Sequence, residues 1–222
     1  KPAEAHERHT IRPAQQRTVV RAEKKDLSDE DWDAVDAQGV ELLQSFNVGY
    51  QPVTVWRFFE NLDAVAQCMP GARLTTTPTD GRAEGEVTIK LGPIISAFSG
   101  RIEIESDNEN YSAIVHAAGR DSISGSRARA IITYQVHAAE DAASKVSISV
   151  KFLLAGPLAQ FSRSGLVKNV ADHLTASFAE NLEARLSGAP AAETVATLDA
   201  SKYLRAAFWG RFTSFIRRLF GK

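Results

Sequence analysis

Hydrophobic and polar residues alternate through most of the chain between residues 73 and 156, which is the pattern of strands with one buried face. Turn-forming sequences such as TDGR and SDNEN interrupt the alternation at regular intervals. The pattern predicts six strands in succession: RLTTTP, AEGEVTIKLG, SAFSGRIEIES, YSAIVHAAG, SRARAIITYQVHAA and SKVSISVKFLLAG. With an earlier strand at VELLQSFNVGY, these segments predict a meandering antiparallel sheet of about seven strands.

Two other segments have apolar residues at helical spacing. The first, PVTVWRFFENLDAVAQC, begins at a proline, which suits a first helical turn, and stops at the MPG turn. The second runs from Pro157 to the Gly and Pro of SGAP and repeats apolar residues every three or four positions. A long closing helix and a sheet with one apolar face together predict an α+β fold in which the sheet wraps around that helix.

The flanking segments set the domain boundaries. Residues 1–39 mix charges of both signs with few apolar side chains, which predicts a linker or docking arm. At most a short helix is expected around DLSDEDWDAV, capped by Ser28, and the alternative to a solvated linker is that Trp32 anchors the arm on a partner subunit. Residues 40–187 form the predicted domain, and residues 188–200 a flexible linker.

Residues 201–222 hold six basic residues and no acidic one. On a helical projection their apolar side chains share one side, and most of the arginines lie outside that arc. Each central arginine costs roughly 2.5–3.5 kcal/mol in a membrane-spanning helix, so the segment is predicted to lie flat on an anionic membrane surface. The predicted docking residues are Leu204, Arg205, Phe208, Trp209, Arg211, Phe212, Phe215, Ile216, Arg217, Arg218, Leu219 and Phe220.

Two alternative binding sites are possible for the same predicted amphipathic helix. Its apolar stripe packs against the protein's own body in one alternative, and it occupies a groove on a protein partner in the other. The flexible linker before it favours docking outside the domain.

Composition limits the chemistry. Cys68 is the single cysteine, so an intramolecular disulfide or a cysteine metal cluster cannot form, and a reducing, cytoplasmic setting is expected. The chain opens on Lys1 without a secretory signal pattern, which suggests a processed product or a piece of a longer polypeptide. The five histidines have no zinc-site spacing and no phosphate-binding glycine loop occurs, so no catalytic residue, metal or nucleic-acid partner is predicted.

Three blocks resemble a known family, in the family's order, over about residues 41–187. They are VWRFFENLDAVAQCMPG, then VTIKLGPIISAFSGRIEI, then LLAGPLAQFSRSGLVKNVADHLTASFAENLEARL. The segment resembles the G-subunit family of carbon monoxide dehydrogenase, which belongs to the START-like, helix-grip superfamily. The resemblance implies a sheet gripping a long C-terminal helix, with a hydrophobic cavity between them.

The resemblance also implies a function. Members of this family look like non-catalytic accessory subunits that bring a molybdenum-containing hydroxylase, such as carbon monoxide dehydrogenase, to the inner face of the cytoplasmic membrane. For some members it implies a respiratory quinone, menaquinone or ubiquinone, in the cavity. The arm at residues 1–39 departs from the simplest family pattern and is interpreted as the remains of a junction with an iron-sulfur subunit.

In this architecture the cavity is expected to bind a hydrophobic small molecule. The alternatives are plain core packing of the same residues, a pure adaptor without a pocket, a lipid-binding protein, and an enzyme of the polyketide cyclase or aromatase type. An enzyme would place titratable side chains such as Arg120, Asp172 or His173 in the cavity, whereas a carrier would have an almost wholly apolar lining. The predicted lining residues are Phe59, Val65, Met69, Leu91, Ile94, Phe98, Phe161, Leu166, Val170 and Phe178.

Overall fold

The alternating segments form a single antiparallel sheet. The computed structural model describes residues 31–91 and 94–188, with the side chain of Leu91 outside the description. Within this part of the chain the sheet has seven strands in the order β1-β7-β6-β5-β4-β3-β2, so the predicted meander is confirmed. The strands are β1 (Val40–Val48), β2 (Ala72–Leu74), β3 (Arg82–Leu91), β4 (Ile94–Asp107), β5 (Ser112–Asp121), β6 (Arg127–Ala138) and β7 (Ser144–Ala155).

Strand β2 is shorter than predicted, because the segment RLTTTP leaves the sheet after Leu74. Thr75 still donates its N–H to the carbonyl of Glu84, and Thr76 Oγ1 accepts from the N–H of Glu84. A hairpin turn follows in which Asp80 and Gly81 both have positive φ angles, 49° and 73°. Positive φ at both central residues is the geometry of a type I′ turn, which the sequence TDGR favours.

The first predicted helical piece is a pair, α2 (Pro52–Phe59) and α3 (Leu62–Cys68). Asn61 separates them, because its side chain accepts a hydrogen bond of 3.1 Å from the N–H of Ala64 and so starts a new helix. Helix α3 ends at the predicted Met-Pro-Gly turn, where Gly71 has a φ of 77°.

The closing helix, α4 (Gly165–Leu186), begins later than predicted. Pro157 instead opens a separate 3₁₀ turn, Pro157–Phe161. The two cannot join, because Ser164 has an extended backbone with a ψ of 149° and its Oγ donates to the carbonyl of Phe161 at 2.7 Å. At its other end α4 stops as predicted, with Gly188 at a φ of 74°.

Helix α4 lies across the concave face of the sheet and is fixed by polar contacts along its length. Gln44 Nε2 donates to Asp172 at 2.9 Å, and the N–H of Gly49 donates to Glu183 at 3.0 Å. Asn181 Nδ2 donates to the carbonyl of Cys68 at 2.9 Å. A sheet holding one long helix in this way confirms the expected α+β, helix-grip fold.

The main core fills only one end of the space under α4. Phe178 and Leu182 of the helix pack there with Val48, Trp56 and Val146, and all five are buried. Trp56 Nε1 donates to Asn108 at 3.0 Å, so the indole is also held by a hydrogen bond. The helix is therefore clamped near its C-terminal end.

A first helix, α1 (Trp32–Gln38), lies against the outer face of the sheet at β6 and β7. Val35 is fully buried, the rings of Trp32 and His116 are 4.7 Å apart, and Lys151 pairs with Asp36 at 3.0 Å. Asp31 caps this helix by accepting from the N–H of Ala34, whereas the predicted cap was Ser28. Part of the predicted arm at residues 1–39 thus packs on the chain's own sheet.

Several predictions concern residues outside the described part. They are the rest of the arm up to residue 30, including Ser28, the predicted linker after residue 188, and the predicted docking residues of segment 201–222. In the described ranges, no helix is long and apolar enough to cross a membrane.

Candidate ligand-binding cavity

A cavity of about 660 Å³ lies between the concave face of the sheet and α4. Its helix wall includes Val167, Val170, Ala171 and Leu174, whose side chains are shorter than that of Phe178, the last wall residue on the helix. These four residues are not part of the buried core cluster of the described chain, whereas Phe178 and Leu182 are. The cavity therefore results from small residues on the first half of a helix that is clamped at its second half.

The sheet wall follows the alternation of the strands. On β4 the wall residues are Ser96, Phe98, Gly100, Ile102 and Ile104, every second position. Eight residues separate the first from the last, so the wall extends for about 26 Å along this strand. The wall is therefore long enough along β4 to take an elongated molecule.

One row of the wall lacks side chains. Gly85, Gly100 and Gly119 are paired across β3, β4 and β5, and Ala128 of β6 continues the row. A Cβ atom at Gly100 would lie 2.2 Å from the carbonyl oxygen of Ala118, so no larger residue fits there. We name these four residues the glycine row.

Peptide backbone forms the cavity surface at the glycine row. Arg101, Ala118 and Arg129 belong to the wall although their side chains leave from the other face of their strands by alternation. Each is the chain neighbour of a member of the row. Missing side chains thus expose the main chain to whatever occupies the cavity.

Seven of the ten predicted lining residues lie in the cavity wall: Phe59, Val65, Met69, Phe98, Phe161, Val170 and Phe178. The side chain of Leu91 is outside the described part. Ile94 and Leu166 are described, and neither is among the residues that line the cavity. Whether a ligand contacts the seven stays a prediction.

The positions of Ile94 and Leu166 outside the wall have simple causes. Ile94 is the first residue of β4, one residue pair beyond the end of the wall at Ser96. Leu166 lies about 90° around α4 from the centre of the stripe formed by Val167, Val170, Ala171 and Leu174. The next residue, Val167, lies in the cavity wall instead.

Titratable side chains proposed for an enzyme do not meet in the cavity. Among the described wall residues there is no Arg120, Asp172 or His173. Asp172 is exposed, and hydrogen bonds from Lys168 and Gln44 lower the pKa of its carboxyl. The polar residues of the wall include Ser96 and Tyr134, neither of which was predicted from the sequence.

Tyr134 stands at the end of the cavity near α2. Its ring lies 5.3 Å from that of Phe59 and 6.2 Å from that of Trp56, between centroids. Burial raises the pKa of Tyr134 to about 12, so the phenol is a neutral group at ordinary pH. An ion pair between Arg73 and Glu86, 2.6 Å apart and partly exposed, belongs to the β2–β3 side of the wall.

Cys68 lies outside the cavity wall and is buried against α4. Burial raises the pKa of its thiol, while the charge of Arg185 acts in the opposite direction, so the thiol stays protonated. No group of three His, Cys, Asp or Glu side chains able to hold a metal occurs in the described ranges.

A buried polar network lies beside Ser96, next to the cavity wall. The carboxylate of Asp121 accepts from the N–H of Ala97 at 2.7 Å and from the N–H and Oγ of Ser124 at 2.8 and 2.5 Å. Ser126 Oγ lies 2.8 Å from Ser124 Oγ and accepts from the N–H of Leu158 at 3.0 Å. The network ties β4, the β5–β6 turn and the 3₁₀ turn together.

Solved structures with this fold are similar in shape and distant in sequence. A conserved protein from Geobacillus kaustophilus is 13% identical, with a TM-score of 0.60 over 67% of this chain and 96% of that one. The protein TTHA0849 from Thermus thermophilus is 15% identical, with a TM-score of 0.50 over 67% and 98%. The Zhui aromatase/cyclase from Streptomyces sp. R1128 is 11% identical, with a TM-score of 0.50 over 68% and 99%.

At these identities the likeness shows the fold alone. No curated protein sequence matches the chain. The model of one family, CoxG, the G-subunit of carbon monoxide dehydrogenase, matches residues 45–187, from the middle of β1 to the end of α4. With its strand order, gripped helix and cavity, the chain belongs to the CoxG family of carbon monoxide dehydrogenase subunits.

Proposed function

We propose that the protein is a non-catalytic accessory subunit that binds a hydrophobic small molecule in the cavity under α4. The observation that carries the proposal is the cavity itself, whose volume of about 660 Å³ lies within the usual range for ligand sites. Its wall is mainly Val, Ile, Leu, Phe and Ala, so burying apolar surface supplies the driving force. A respiratory quinone, menaquinone or ubiquinone, is the ligand that we propose.

The experiment places a large side chain in the cavity. Val170→Trp fills the space from the helix side, and we expect it to weaken binding of decylubiquinone at least tenfold in a calorimetric titration. Asn169→Trp is the matched control, because Asn169 is exposed on the same helix and lies outside the wall. Equal affinities in wild type and Val170→Trp would remove the cavity as the binding site.

We further propose that the protein brings an oxidoreductase to the inner face of the cytoplasmic membrane. The family's name supports a carbon monoxide dehydrogenase, a molybdenum-containing hydroxylase, as the partner. The basic, aromatic-rich sequence of residues 201–222 supports an anionic membrane as the docking surface.

Co-sedimentation with vesicles tests the membrane proposal. The full chain is expected to bind vesicles that contain an anionic lipid, and high salt is expected to weaken this binding. A chain that ends at Gly188 should stay in the supernatant. The full chain with Arg211, Arg217 and Arg218 changed to Glu should do the same, and equal sedimentation of all forms would contradict the proposal.

A further inference from the structure

Ser96 is a buried hydroxyl without a protein partner. The residue is 1% exposed, and its Oγ has no hydrogen-bond partner in the described part of the chain. Buried polar side-chain atoms in native proteins nearly always have one. Ser96 is one of the residues of the cavity wall, on the face of β4 that carries Phe98 and Gly100, so a bound molecule that displaces the atoms covering the hydroxyl would supply the missing partner.

The backbone around Ser96 is fixed before any ligand binds. Ser96 pairs with Ile89 of β3. On its other side, Ala97 donates its N–H to Asp121 at 2.7 Å and accepts from the N–H of Ser122 at 2.9 Å. A hydroxyl on such a support is held in place at little further entropic cost when a ligand binds.

The charges near Ser96 disfavour an acidic ligand. The carboxylate of Asp121 is 1% exposed and hydrogen bonded to the residue next to Ser96. Among the described residues, the wall holds three arginines: Arg73 pairs with Glu86, and Arg101 and Arg129 enter the wall at the glycine row with side chains that start from the opposite sheet face. A carboxylate group beside Ser96 would therefore meet like charge without a compensating cation from these strands.

Apolar surface continues away from Ser96 along β4. Phe98 follows, then the glycine row, then Ile102 and Ile104. The bare backbone at the glycine row leaves room for a broad group or a branched chain against the sheet. A molecule with one polar end and a long apolar body matches this sequence of surfaces.

We propose that the cavity binds an elongated, uncharged amphiphile whose single hydroxyl or carbonyl end hydrogen bonds to Ser96 Oγ, with its apolar body lying along the glycine row. This inference rests on the proposed binding of a hydrophobic molecule and adds where its polar end lies and that this end is neutral. Ser96 is then a specificity residue for the polar end.

The experiment compares 1-decanol, decanoic acid and decane on the full chain. Each competes with the neutral fluorescent probe N-phenyl-1-naphthylamine. Wild type is expected to bind decanol more tightly than decane, and decanoate most weakly. Ser96→Ala should weaken decanol about three- to tenfold and leave decane unchanged, since a neutral hydrogen bond is worth this much.

Two further variants control the result. Tyr134→Phe removes the hydroxyl at the other end of the cavity and should leave the preference for decanol intact. Ser96→Thr retains a hydroxyl and should retain the preference. Ser96→Ala is expected to unfold at or above the wild-type temperature, because it loses a hydroxyl that has no protein partner.

Each contrary outcome has a distinct meaning. If the probe binds wild type but decanol binds Ser96→Ala equally well, the assignment of Ser96 is wrong and the hydrophobic site stands. If Tyr134→Phe alone loses the preference, the polar end lies near α2 and the assignment is again wrong. If decanoate binds more tightly than decanol, the proposal that the polar end of the ligand is uncharged is wrong. If neither probe nor any decyl compound binds wild type, the proposed function fails with it.

Discussion

At the scale of single residues, Asp121 shows how a buried charge is kept in this fold. Burial raises the pKa of its carboxyl, but hydrogen bonds from Ser124, Ala97 and Ile123 outweigh that effect, and the pKa lies below its ordinary value of 3.8. The ionised form is therefore favoured in the folded state. Because the unfolded chain binds the proton more readily, this contribution to stability is present above the ordinary pKa and is lost as pH falls.

Asp121→Asn is expected to lower the free energy of unfolding by about 1–3 kcal/mol at pH 7, since buried donors of the network lose their charged acceptor. The difference between wild type and variant should shrink as pH falls from about 5 to 2. Urea unfolding at several pH values measures both. Glu105→Gln, an exposed change on β4, is the control and should have little effect. A difference that does not vary with pH would contradict the role of ionisation.

At this scale, many apolar residues of the cavity wall could be predicted from the sequence, but its polar residues could not. Phe98 and Val170 follow from alternation and helical spacing, and these patterns are local. Ser96 has the same alternation as Phe98, so its face was predictable, whereas its lack of a partner depends on the positions of neighbouring strands. The glycine row is also a register effect, because three separate strands must align.

At the scale of elements, α1 extends the packed unit beyond its predicted beginning at residue 40. Its sequence is short and acidic, so local patterns favoured a linker. The structure instead buries Val35 and places the ring of Trp32 at 57° to that of His116, with 4.7 Å between the centroids. Such a contact between a short helix and the outer face of a sheet has no signature in the sequence of either element.

Val35→Ala is expected to lower the free energy of unfolding by about 1–3 kcal/mol, because it leaves a small cavity between α1 and the sheet. Ala37→Ser changes an exposed position on the same helix and is expected to shift stability by less than about 0.5 kcal/mol. Urea unfolding midpoints test the pair. Identical midpoints for Val35→Ala and wild type would show that α1 does not add to the stability of the domain.

The late start of α4 belongs to the same scale. Apolar residues recur at intervals of three to five positions from Leu158 to Leu182 in the sequence, so a single helix was the natural prediction. The interruption at Ser164 depends on a hydrogen bond to the carbonyl of Phe161 and on the extended backbone before Gly165. Both are details of one turn, and the spacing of apolar residues carries no information about them.

At the scale of the whole molecule, ligand binding and folding should be linked, since the cavity exists only when sheet and helix are assembled. A ligand that binds the folded state alone, present at 100 times its dissociation constant, stabilises that state by about 2.7 kcal/mol. Decylubiquinone should therefore raise the melting temperature of wild type in a concentration-dependent way. Val170→Trp should show no such increase, and an equal increase in both proteins would contradict binding under α4.

The glycine row also decides which part of this domain can change its ligand. Side chains cannot be added at Gly100 without displacing the backbone of β5, so the sheet is a fixed template. Positions 167, 170, 171 and 174 on the facing helix carry no such restriction and differ only in how far their side chains extend. Descendants or designed versions with other ligands should therefore vary at these four helix positions while the glycine row stays the same.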